Sequence, residues 1–145
     1  MSLPPEKFRE MVFQILYSHG FEPNDEKEMV SFMMQELKVS RRYVADAFTR
    51  MHRILAKETE IYKLMGEAST EYAVERISRV ERTILLLAFF EMLYDSSVPP
   101  KVAIAEAIRL CRKFGTPESA GFVNAVLDGV LKKHAPADRE QPIAQ

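Results

Sequence analysis

Residues 98–128 read VPPKVAIAEAIRLCRKFGTPESAGFVNAVLD, two helices joined by a tight turn at Gly115-Thr116-Pro117. Pro99 and Pro100 suit a first helical turn, where a missing N–H costs nothing. Val102, Ala105, Ile108 and Cys111 recur at helical spacing and predict the buried face of the first helix. Gly115 stands at its C-terminus, where a residue tolerant of positive φ is favoured. Thr116 is placed to cap the second helix, with Pro117 at its first position and Glu118 near its positive end. Val123, Val126, Leu127 and Val130 form the apolar stripe of that helix.

The remainder of the chain has the same helical period. Ser78-Arg79-Val80-Glu81 is an S-x-x-E capping box. The helix it opens is apolar almost all round from Ile84 to Leu93, which predicts a central place in the core. A first helix is expected from about Pro5 to Ser18, with Phe8, Met11, Val12, Ile15 and Leu16 as its stripe. Gly20 to Asp25 reads as a turn, with Asn24 or Asp25 as N-cap of a second helix carrying Met29, Val30, Met33, Met34 and Leu37. Ser40 opens a long third helix, with Val44, Ala47, Phe48, Met51, Leu55, Glu58 and Ile61 at heptad-like spacing. Glu58 is out of character there, and marks either a rotation of the buried face or an approach to solvent. Gly66 to Thr70 breaks the pattern, and a short helix follows to about Arg76. The expectation is an all-α fold of about seven helices forming a single domain over residues 1–134, with a disordered tail over 135–145.

Composition narrows the functional classes. The chain has 145 residues, 47% of them hydrophobic, with 20 Lys and Arg against 21 Asp and Glu. Its longest apolar run, Ile84 to Phe90, is far shorter than the roughly 20 residues that cross a bilayer, so no membrane association is expected. The opening MSLPPEKFRE has no apolar segment of the kind a secretion signal needs, and the expected compartment is the cytoplasm. A single cysteine permits no internal disulfide, and Cys111 reads as a core residue rather than a reactive thiol. His19, His52 and His134 sit on separate helices, and no nucleophile motif, phosphate loop or metal-ligand spacing appears. The chain is therefore read as a non-enzyme without cofactor or metal.

The near-zero net charge conceals blocks. Residues 1–37 hold seven acids and three bases, whereas residues 38–65 hold seven bases and three acids. Residues 66–100 are acidic by six to three, and residues 101–134 basic by six to three. Arg41, Arg42, Arg50 and Arg53 give the third helix a basic face, either simply solvated or available to a polyanion. Tyr17 and Phe13 point away from the stripe of the first helix, so they need a second burial partner in the fold or an outside protein contact. Phe122, at the edge of its stripe, can complete the core or stack on a base. Lys101 opens a helix at the end where the dipole disfavours cations, either as a solvated lysine or as a phosphate contact. Asn124 suits an interhelix hydrogen bond or an RNA contact.

Several of these segments resemble the NusB family of bacterial transcription antitermination factors. The family pattern VPYKVAINEAVELAK-FG, a short turn, then FVNGVLD, is similar to Val98-Pro99-Pro100-Lys101-Val102-Ala103-Ile104-Ala105-Glu106-Ala107, Phe114-Gly115, and Phe122-Val123-Asn124-Ala125-Val126-Leu127-Asp128. Val80-Glu81-Arg82, Leu86-Leu87-Ala88 and Glu91-Met92-Leu93-Tyr94 resemble the family's VE-R-LLRLALYELLY helix. Arg9-Glu10 through Gln14-Ile15-Leu16-Tyr17 resembles its first helix. The motifs fall in the family's order across nearly the whole chain.

The resemblance implies two small helical bundles packed together. It also implies a function in binding: a heterodimer with NusE, a small-subunit ribosomal protein, on boxA-type single-stranded RNA in nascent ribosomal transcripts, modifying the RNA polymerase elongation complex. By the same resemblance, Tyr17 and Glu81 contact the protein partner, and Lys101, Glu118 and Phe122 contact RNA together with the start of helix one, here Lys7 and Arg9. Glu81 is equally accounted for by its capping box. The chain departs from the family in three places. Pro4-Pro5-Glu6-Lys7-Phe8-Arg9 stands where many members carry an arginine-rich run, Pro100 replaces a tyrosine, and Gly121 occupies a position that is often basic. Fewer cations mean fewer phosphate contacts and a flatter salt dependence. One alternative is thus a NusE-binding module with weak or no RNA affinity; another is the NusB-like part of a ribosomal RNA cytosine methyltransferase. A homodimer through the partner surface is also compatible with the sequence.

Overall fold

The computed structural model describes residues 3–19, 26–69 and 73–134, which contain seven α-helices and no strand. The turn expected at Gly20–Asp25 and the tail expected over 135–145 lie outside the described residues. The chain divides into two compact units, residues 1–56 and 57–145.

The first unit holds α1 (Pro5–His19), α2 (Glu26–Leu37) and α3 (Arg41–Leu55), with both α1 and α2 packed on α3. α1 buries Met11, Val12, Ile15 and Leu16 as its spacing predicts, and Phe13 as well, while Phe8 is half-buried. α3 buries Val44, Ala47, Phe48, Met51 and Ile54. α2 is shallower. Met33 is buried, Met29, Val30, Met34 and Leu37 are half-buried, and Phe32 is 59% exposed. Lys38, between α2 and α3, adopts φ 54°, a left-handed conformation that costs a side-chain-bearing residue about 1–2 kcal/mol.

The second unit holds α4 (Glu58–Ala68), a 3₁₀ turn (Val74–Arg76), α5 (Arg79–Tyr94), α6 (Pro100–Phe114) and α7 (Pro117–His134). α5 is its centre, with every residue from Thr83 to Met92 buried and α4, α6 and α7 packed around it. The Ser78 hydroxyl accepts the Glu81 N–H at 3.2 Å, as the capping box requires. Thr83 turns its buried hydroxyl onto the Arg79 carbonyl at 2.8 Å, which satisfies it inside the apolar helix.

Four expectations are corrected. The long third helix is two helices, α3 and α4, separated at Ala56 and Lys57; Lys57 takes a non-helical φ of −106° and ψ of 7°. Glu58 is out of character because it begins α4, where with Glu60 it complements the positive end of the helix dipole. Gly66 lies within α4 and does not break it, and the short helix before Ser78 is only the 3₁₀ turn. Gly115 has φ −112°, so no positive φ is required of it. A Cβ there would stand 3.0 Å from the Cys111 carbonyl oxygen and 3.2 Å from Ser119 Oγ, so what favours glycine is the tight space and not the dihedral angle.

The fourth correction concerns α6. Its buried residues are Pro100, Ala103, Ala107, Leu110 and Cys111, whereas Val102 is 44% exposed and Ala105 is exposed. α6 packs against both α5 and α7. The small side chains of Ala103 and Ala107 let helix axes approach closely, which bulkier valine and isoleucine at those positions would prevent. The stripe of α7 is as predicted, with Val123, Val126, Leu127 and Val130 all buried.

Candidate functional site

The loop into α6 is a turn closed by Val98 N–H on the Asp95 carbonyl at 3.1 Å, and Asp95 Oδ1 accepts the Ser97 N–H at 3.0 Å. Pro99 then precedes the helix in an extended conformation, and Pro100 is buried at the first helical position. Lys101, second in the helix, is exposed, and the first turn of α6 contains no acid. The ammonium and the helix's positive end therefore act in the same direction, favouring an anion.

Thr116 and Ser119 begin α7. The Ser119 N–H donates to Thr116 Oγ1 at 3.2 Å and the Thr116 N–H donates to Ser119 Oγ at 3.3 Å. Ser119 is the half of this cap that the motifs above do not include; its signal is the spacing T-x-x-S, a capping box with serine as the returning group. This cap holds Glu118, which is exposed, and one turn on, Phe122, which is half-buried. The two share a helix face. Gly121 is exposed with open space where a side chain would be, and Asn124 is exposed, away from the interhelical packing. Only Gly115 and Thr116 connect α6 to α7, making an αα-hairpin. α6 rises roughly 20 Å from Lys101 to the turn at about 1.5 Å per residue, so Lys101 stands at the far end from Glu118.

The remaining candidates lie in the first unit or on α5. Lys7 and the neighbouring Glu6 are exposed in the first turn of α1, and Arg9 is half-buried. Phe13 and Tyr17, one turn apart, stack with ring centroids 6.0 Å apart and an interplanar angle of 25°. Phe13 is buried while Tyr17 retains part of its surface. Glu81 is half-buried in the first turn of α5. Its carboxylate also acts on Cys111, whose thiol is pushed up to about 11, first by burial and then by the Glu81 charge. At the other end of α5, Tyr94 Oη donates to Glu60 Oε2 at 2.8 Å, and Lys57 Nζ lies 5.1 Å from the ring centroid. Burial and that hydrogen bond raise the tyrosine's pKa and fasten α5 to the start of α4.

These residues offer charge, stacking surface and hydrogen bonds, which are the means of binding. Among the described residues, no group of three His, Cys, Asp or Glu side chains is arranged to hold a metal ion, and no helix is long and apolar enough to cross a membrane.

Residues 6–132 match the model of the NusB family. The chain belongs to the NusB family. It is 37% identical to the transcription antitermination protein NusB of Nitratidesulfovibrio vulgaris (strain DP4), over 86% of this chain and 85% of that protein. It is 32% identical to that of Chlamydia pneumoniae, over 88% and 80%. Among solved structures, T. maritima NusB superposes with a TM-score of 0.81 at 29% identity, covering 97% of this chain and 99% of that one. A chain in the crystal structure of a plectonemic RNA supercoil superposes with a TM-score of 0.77 at 20% identity, covering 91% and 96%, and speaks to the NusB fold alone.

Proposed function

We propose that this chain is a transcription antitermination factor that acts in the cytoplasm with NusE on boxA-type single-stranded RNA in nascent ribosomal transcripts, and so modifies the RNA polymerase elongation complex. The observation that carries this function is the match of residues 6–132 to the NusB family, whose relatives are named transcription antitermination proteins. The mechanism is binding without chemistry. Lys101 meets a phosphate at the positive end of α6, and Lys7 and Arg9 do the same at the start of α1. Phe122 offers a ring to an unstacked base, and Glu118 beside it accepts from base amino groups or a 2′-hydroxyl. Tyr17 and Glu81 contact NusE.

The test is fluorescence anisotropy of a labelled boxA-type RNA titrated with the protein, with and without NusE, at two salt concentrations. Salt-sensitive binding that tightens with NusE is expected. A second reading, a NusE-binding module with little RNA affinity, is favoured by one observation: Glu6 is exposed beside Lys7 and offsets its charge. Association with NusE but no RNA binding in the same experiment would establish that reading and remove the first.

A further inference from the structure

The basic face of α3 has no part in the contacts assigned above, yet its geometry is ordered. The buried residues of α3 define one direction from its axis. At about 100° per residue, the opposite direction passes through Arg42, Asp46, Thr49 and Arg53, bordered by Arg41, Ala45 and His52. All seven are exposed. Arg42 and Arg53 are eleven residues apart, three helical turns, so they align and stand about 16 Å apart along the axis. Between them stand Asp46 and Thr49; on the bordering side Ala45 is small, and the Thr49 hydroxyl bends back onto the Ala45 carbonyl at 3.1 Å. Asp46 is the one carboxylate on the face.

We infer that this face is a track for the sugar–phosphate backbone of single-stranded RNA, held at its two ends by the Arg42 and Arg53 guanidiniums. The inference rests on the RNA-binding function proposed above and adds a contact surface to it. A guanidinium fork fits phosphate oxygens, and the small Ala45 beside Thr49 leaves room for an extended backbone to pass on that side, clear of Asp46. Helix stability accounts for Arg53 in the last turn but not for Arg41 and Arg42, which occupy a first turn without acids, where the dipole disfavours cations. A protein partner is less well matched. Such interfaces are anchored by large aromatic or apolar side chains, and the exposed large hydrophobics of the described residues, Phe32 and Val102, are not on α3. The surface also supplies the first unit with the cations that Lys7 and Arg9 alone provide sparsely.

The experiment measures RNA affinity of the full chain with NusE across a salt series. It compares the parent, Arg42→Glu/Arg53→Glu, the charge-keeping Arg42→Lys/Arg53→Lys, and a control of equal charge change in the second unit, Lys63→Glu/Arg112→Glu. The α3 reversal is expected to weaken binding at least tenfold at low salt. It should flatten the slope of log K on log salt by about 1.4, at roughly 0.7 per phosphate contact on a single strand. The lysine pair should keep most of the slope, and the control should leave it unchanged. Arg42→Glu places an acid in the first turn of α3, which the dipole favours, and Arg53→Glu places one in the last turn, which it disfavours, so the two effects offset each other and weak binding is not expected to reflect unfolding; circular dichroism checks this. Parent-like affinity and slope in the α3 reversal overturn the inference alone, as does an equal loss in the control. Loss of NusE association without loss of RNA contacts overturns it in favour of a protein surface. Failure of the parent to bind RNA overturns both the inference and the function beneath it.

Discussion

Thr116 and Ser119 cap α7 reciprocally, each main-chain N–H bonded to the other's hydroxyl, at 3.3 and 3.2 Å. The pair sets where α7 begins and therefore where Glu118 and Phe122 are presented. Thr116→Ala should cost about 1 kcal/mol, the usual loss on removing a capping hydroxyl. Ser119→Ala should cost about 0.5–1.5 kcal/mol. The double variant should cost less than the two together, because both single changes lose the same contact between the two hydroxyls, at 3.1 Å. Urea titrations of the three variants check this, and strict additivity would show that the contact between the hydroxyls contributes nothing.

Gly115→Ala is expected to destabilise by about 1–2 kcal/mol through crowding. The new methyl would press on the Cys111 carbonyl, which already accepts the Gly115 N–H at 2.8 Å. Because φ is −112°, backbone strain has no share in the cost. Gly121→Ala, in open space within a helix, should instead stabilise, by about 0.5–1 kcal/mol. Thermal melts of the two variants should therefore move in opposite directions.

Cys111 links stability to alkaline pH. Its folded pKa of about 11 lies above the ordinary 9.0, so the native state holds its proton where the unfolded chain releases it. The contribution is fully present below about pH 9 and declines as pH rises toward 11, by up to roughly 1.4 kcal/mol per pH unit. Cys111→Ala removes this dependence. Denaturation midpoints of parent and variant should differ by a constant amount below pH 8.5 and converge between pH 9 and 11. A constant difference throughout would show that the thiol ionises alike in both states.

Lys38 holds φ at 54° on the solvent side of the α2–α3 connection. Lys38→Gly and Lys38→Asn relieve that conformation and should raise stability by about 0.5–1 kcal/mol, a rise of roughly 2 °C in Tm. Lys38→Ala should give no such gain, which separates relief of backbone strain from loss of charge. Equal gains in all three would assign the effect to charge.

Local chemistry made much of this fold legible. α5 could be read from its continuous apolar run, its cap from Ser78 and Glu81 three residues apart, and the cap of α7 from Thr116 before Pro117, because each signal lies within a few residues of its effect; Ser119, the other half of that second cap, is not among those signals. The α3–α4 break was harder. Neither glycine nor proline marks Ala56 and Lys57, and the only trace was Glu58, an acid in an apolar register. The candidate contacts were legible by resemblance, but their exposure was not. Nothing local distinguishes Phe13, which is buried, from Tyr17 one turn away, which keeps part of its surface.

The amino-acid sequence by itself determined the helical period, the caps, the turn at Gly115-Thr116 and the membership of the family, since these depend on neighbouring residues and their order. Tertiary structure decided which face of α6 is buried. Hydrophobicity favours Val102, but α6 lies against both α5 and α7, and the face between them holds Ala103, Ala107, Leu110 and Cys111, with Ile108 half-buried at its edge. It likewise decided why position 115 is glycine, through the space between Cys111 and Ser119 rather than through a dihedral angle. In both places the deciding quantity is distance between groups on different turns or helices, which a one-dimensional pattern does not carry.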